Sequence, residues 1–94
     1  MKSEVASADL RKRLCRIVVI DDDPGHLQVV KIILMREDLP CDLVLFQDPR
    51  EALERMAEQP PDLVMMDVSM PHLDGFETFK RLKANPATRG VPVI

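Results

Sequence analysis

Three aspartates stand where apolar runs end, and carboxylates in that pattern can hold a cation or accept a transferred group. Ile17-Val18-Val19-Ile20 runs into Asp21-Asp22, and Leu63-Val64-Met65-Met66 runs into Asp67. In open α/β sheets, ligands collect at the carboxyl ends of the strands. If the two runs are neighbouring parallel strands, they lie about 4.8 Å apart and their carboxylates share one small volume. Two like charges about 4 Å apart repel by about 4 kcal/mol at an effective dielectric of about 20. Such a cluster calls for a proton, a basic side chain or a cation. Oxygen-only ligands on an exposed rim, with room for water, favour Mg²⁺ over zinc. A plainer role for an aspartate just past a strand is to cap the next helix, and Asp23, Asp48 and Asp74 are read that way. For Asp21 or Asp22 taken singly, capping and metal binding both remain open.

The elements that must position these groups follow from the pattern. Ile17–Ile20 is a continuous β-branched run, the mark of a parallel strand covered on both faces. Asp23-Pro24 supplies an N-cap and a first-turn proline for a helix over 24–38, in which seven of the nine residues from Leu27 to Met35 are apolar. Leu43–Phe46 is a second strand, and Asp48-Pro49 opens a second helix whose inward stripe is Ala52, Leu53, Met56 and Ala57. Pro60-Pro61 ends it, and Leu63–Met66 is the third strand. Asp74 caps a third helix, expected to bury Phe76, Phe79 and Leu82, and Val91-Pro92-Val93-Ile94 begins a fourth strand. The alternation predicts an α/β fold with an open parallel sheet and helices on both faces, incomplete at its C-terminus. An exposed sheet edge and a partly uncovered first helix are expected, and with them homodimer formation or strand exchange.

Ninety-four residues suffice for one small domain. The net charge of −3 divides into +3 over residues 1–16 and −6 over residues 17–94, so residues 1–15 read as a basic arm and 16–94 as the folded unit. An acidic body with no Trp or Tyr argues against direct nucleic-acid binding. No apolar run reaches the length of a membrane span, and Met1-Lys2-Ser3-Glu4 does not open a secretory signal. Cys15 and Cys41 are too far apart for a CxxC motif and too few for a disulfide framework, and are expected as reduced thiols of a cytoplasmic protein.

Ile17-Val18-Val19-Ile20-Asp21-Asp22-Asp23-Pro24 resembles the opening of the receiver domains of two-component response regulators. The stretch from Asp62 to Gly75, with Met66-Asp67-Val68-Ser69-Met70-Pro71 at its centre, is similar to the phosphorylation segment of the same family. The likeness continues through Phe76-Glu77, Arg81-Leu82-Lys83 and Pro92-Val93-Ile94, and so covers about residues 16–94. It implies a flavodoxin-like, doubly wound parallel sheet of order 2-1-3-4 in three layers. It further implies that Asp67 is the phosphoacceptor, that Asp22 binds Mg²⁺ directly and Asp21 through water, and that the backbone carbonyl of Ser69 completes the protein's ligands. It also implies a sensor histidine kinase or phosphotransfer protein as the donor, and a signalling switch rather than an enzyme with an external substrate. The family's Ser/Thr after the fourth strand and Lys after the fifth have no counterpart within residues 1–94, so phosphorylation of this stretch alone is expected to be inefficient.

Two other classes stand beside this one. A degenerate receiver could act only as an interaction or dimerisation module. A Mg²⁺-dependent phosphohydrolase with an aspartate nucleophile would want a second acid two residues on, where Ser69 stands. His26 and His72 are read as exposed histidines, Met65 and Met66 as strand core, and Lys80, Arg81 and Lys83 as a solvated helix face.

Overall fold

A computed structural model describes residues 15–67 and 74–94. The elements alternate as β1 (Arg16–Ile20), α1 (Pro24–Arg36), β2 (Asp42–Phe46), α2 (Pro49–Glu58), β3 (Leu63–Met66) and α3 (Gly75–Ala84). The three strands form a parallel sheet of order β2-β1-β3. The first strand is therefore central, as in the expected order 2-1-3.

The fourth strand expected at Val91–Ile94 is not formed as a strand. Residues 92–94 meet β3 at a single parallel bridge, Val64 with Val93, supported by Val64 N–H donating to the Pro92 carbonyl and Ile94 N–H to the Val64 carbonyl. Pro92 has no N–H to add to the ladder.

The period of two along each strand sorts the core into two faces. Val18, Ile20, Phe46 and Val64 point to one side and pack with Ala52 and Met56 of α2 and Leu82 of α3. Ile17 and Val19 point to the other and pack with Leu27 of α1, flanked by Leu43, Leu45, Leu63 and Met65. The result is three layers, with α1 alone on its side. Val29, Ile32, Ile33 and Met35 on the outer side of α1 are exposed, although so apolar a helix would ordinarily be covered on more than one side; the partly uncovered first helix expected above is what the structure shows.

Each helix starts on its expected cap. Asp23, Asp48 and Asp74 accept from the backbone N–H groups of Gly25, Arg50 and Glu77, and Pro24 and Pro49 occupy first-turn positions. Helix α1 ends at Arg36 rather than residue 38, because Asp38 turns left-handed at φ 47° while its N–H donates to the Met35 carbonyl.

The reading of α3 is corrected in two respects. Phe76 and Phe79 do not face the core: they are 70% and 42% exposed, and Gly75, Thr78 and Leu82 form the buried stripe instead. Burying Thr78 is tolerated because its hydroxyl donates to the Asp74 carbonyl. Lys83 holds its ammonium 5.3 Å from the Phe79 ring centre and donates to the carbonyls of Arg89 and Val91, so it ties α3 to the following turn rather than standing free in solvent.

The cysteines are also not free thiols. Cys15 and Cys41 form a disulfide, with Cα atoms 4.3 Å apart. The β1–β2 register pairs Arg16 with Asp42, which sets the preceding residues, Cys15 and Cys41, side by side, and Asp42 N–H donates to the Cys15 carbonyl. A spacing of 26 residues reveals nothing of this until the strands pair. Arg16 and Asp42 add a surface ion pair at 3.6 Å beside it.

Two outcomes follow. Closing a loop of 26 residues restricts the unfolded chain by about 3 kcal/mol, so reductant should lower the urea midpoint of the wild type and leave a Cys15→Ser/Cys41→Ser variant unchanged. An equal response of both would contradict the pairing. On α3, Leu82→Ala should cost about 2–5 kcal/mol whereas Phe76→Ala should cost about 0.5 kcal/mol or less, measured by the same denaturation; a reversed order would restore the aromatic-inward helix.

Candidate metal and phosphoacceptor site

The register that builds the sheet also builds its carboxyl rim. Ile20 pairs with Phe46 on one side and Met66 on the other, so the next residues, Asp21 and Asp67, stand level with each other. Asp21 N–H donates to the Phe46 carbonyl and Asp67 N–H to the Ile20 carbonyl, carrying both ladders one residue past the strands. Strand parity then sends Asp21 and Asp67 to the same side as Ile17, Val19, Leu63 and Met65, which is the α1 side.

The first turn of α1 completes the arrangement. Asp21, with its side chain 14% exposed, accepts from Asp23 N–H through Oδ1 at 3.0 Å, and its Oδ2 lies 3.1 Å from His26 Nδ1. His26 Nε2 lies 3.5 Å from Asp23 Oδ2, while Asp23 Oδ1 accepts from Gly25 N–H as the helix cap. One ligand atom each from Asp21, His26 and Asp67 falls within 4.8 Å of the others. The pKa of His26 is raised, first by the charge of Asp23, then by the hydrogen bond and charge of Asp21, with a smaller part from Asp67.

Of the residues expected at the site, the structure thus brings Asp21 and Asp67 together. Asp22 follows in the bend between β1 and α1, half-buried and outside that three-residue group. Ser69 and His72 lie outside the described residues, as does the basic stretch of the arm. His26, read from the sequence as an exposed histidine, is exposed, and the structure adds that it reaches the two carboxylates. The signal was present, because a helix opening at Pro24 places position 26 in the first turn, above the acids that precede the cap.

The donor set fits a divalent cation. Two ligands on opposite sides of a Mg²⁺ ion at about 2.1 Å are about 4.2 Å apart, close to the 4.8 Å span of this group. Partly buried carboxylates at the rim of the sheet also leave positions for water, which Mg²⁺ retains.

The chain matches known proteins over this same stretch. Residues 17–94 fit the sequence model described as the response regulator receiver domain. Protein PilG of Pseudomonas aeruginosa is 32% identical over 79 residues, covering 84% of this chain and 57% of that protein. The signal transduction histidine-protein kinase BarA of Shigella flexneri is 31% identical over 86 residues, covering 92% of this chain but 9% of the kinase. Among solved structures, the N-terminal domain of a response regulator receiver protein from Methanoculleus marisnigri superposes with a TM-score of 0.77 at 39% identity, covering 85% of this chain and 63% of that one. The chain therefore spans less than two thirds of these relatives. With its parallel β2-β1-β3 sheet and carboxylates level at the strand ends, this chain belongs to the response regulator receiver domain family of two-component signalling.

Proposed function

We propose that Asp67 receives a phosphoryl group from a phosphohistidine, so that the domain acts as a signalling switch. One observation carries the reading: Asp67 stands level with Asp21 at the carboxyl edge, within one divalent ion's reach of Asp21 and His26. A carboxylate oxygen of Asp67 forms the new bond to phosphorus as the bond from phosphorus to the donor imidazole nitrogen breaks. The resulting acyl phosphate is later cleaved by water at the same rim. Asp21, Asp22, Asp67 and the Ser69 carbonyl would hold the cation, by the family pattern for Asp22 and Ser69 and by position for Asp21 and Asp67. When bound, Mg²⁺ supplies positive charge against the carboxylates and the phosphoryl oxygens.

Receiver domains pair with histidine kinases, and such a kinase or a phosphotransfer protein is the proposed donor. None of the described helices is long and apolar enough to cross a membrane. A cytoplasmic setting is proposed from the donor chemistry, since the bonded Cys15–Cys41 pair withdraws the support that free thiols would lend it. A second reading, an interaction module that is not phosphorylated, draws on the exposed Val29, Ile32, Ile33 and Met35 of α1.

Incubation with acetyl phosphate and Mg²⁺, followed by phosphate-affinity electrophoresis, tests the proposal. A retarded band should form with the wild type, vanish for Asp67→Asn, and fall at least about tenfold for Asp22→Ala or with EDTA. Label persisting on Asp67→Asn would overturn the assignment. Light scattering separates the second reading, which expects a dimer indifferent to Mg²⁺ and beryllofluoride.

A further inference from the structure

His26 brings a nitrogen donor to a rim otherwise lined by oxygen. Its Nδ1 sits 3.1 Å from Asp21 Oδ2, and its ring, 61% exposed, stands on the first turn of α1 with room to rotate. A ring nitrogen, an Asp21 oxygen and an Asp67 oxygen lie within 4.8 Å of one another. The two carboxylates come from adjacent strand ends fixed by backbone hydrogen bonds, and the imidazole from a helix whose start is fixed by the Asp23 cap. The three donors are thus held on rigid elements rather than gathered by a loop.

A nitrogen donor changes which ion such a site prefers. Carboxylate and water suit Mg²⁺, a hard ion that gains little from imidazole, whereas imidazole suits zinc and its first-row neighbours. Imidazole added to the oxygen donors of the rim makes a mixed oxygen–nitrogen set, which favours a transition-metal ion more than oxygen alone does. We propose that His26 is a ligand of the rim cation and shifts the selectivity of the site from Mg²⁺ toward a nitrogen-accepting first-row divalent ion such as Zn²⁺. The proposal rests on the reading that Asp21 and Asp67 face one cation.

Calorimetric titration with Zn²⁺ and with Mg²⁺ tests it, in mildly alkaline buffer with the disulfide intact so that no thiol competes. A His72→Gln background removes the chain's other histidine, leaving His26 alone. His26→Gln in that background should weaken Zn²⁺ by about tenfold or more while leaving Mg²⁺ within about twofold. In parallel, Zn²⁺ should move the His26 ring nitrogen resonances in long-range ¹H–¹⁵N spectra, and Mg²⁺ should not. An unchanged ratio of Zn²⁺ to Mg²⁺ affinity in the His26→Gln variant, or ring resonances blind to Zn²⁺, would overturn the role of His26 alone. The Asp67→Asn and Asp21→Asn variants separate the two failures, because binding of both ions that ignores both substitutions would overturn the shared rim itself. Urea midpoints matching the parent show that a loss of binding is not a loss of fold.

Discussion

Two carboxylates held level at the ends of neighbouring parallel strands cannot move apart without breaking the ladder that holds them. Asp21 and Asp67 are each fixed by a backbone hydrogen bond to the adjacent strand, so their mutual repulsion has to be met by something positive brought to them. His26 is one positive group within reach, and its pKa is raised first by the charge of Asp23, then by the hydrogen bond and charge of Asp21, and least by Asp67. The field of these carboxylates is what a divalent ion would neutralise. Sheet register, helix start and charge balance are in this sense one constraint, because the ladder sets the anions, the anions favour a cation, and the Asp23 cap places the imidazole beside them.

The opposite rim is built for a different task. There the disulfide, the Arg16–Asp42 pair and the acceptance of Arg16 N–H by Asp62 Oδ2 at 2.7 Å bind the beginnings of all three strands together. Ordering the strands at their amino ends leaves their carboxyl ends free of covalent ties, where the side chains must meet ligands. The division matches the general behaviour of open α/β sheets, whose chemistry collects at one edge while the other serves stability.

The two helical layers are unequal in the same way. Helices α2 and α3 share one face of the sheet and bury Ala52, Met56, Thr78 and Leu82 between them and the strands. Helix α1 alone covers the other face, turns Leu27 inward, and leaves an apolar outer side. Its first turn borders the acidic rim, so the element with the most exposed apolar surface also carries the histidine of the site.

Local physics made much of this legible from residue order. A β-branched run before paired acids, Asp-Pro before each of two helices, and Asp74 ahead of a third are signals acting within a single turn or strand, and each appears in the structure where it was expected. The rotation of α3 was less legible, because hydrophobicity alone ranks Phe above Thr at an inward position, whereas the threonine hydroxyl finds its partner in the preceding turn. The level meeting of Asp21 with Asp67, the union of Cys15 with Cys41 and the approach of His26 to the rim were decided by tertiary structure. Each depends on which strands pair and in what register, and that pairing is chosen by the burial of two whole sheet faces rather than by any neighbour along the chain.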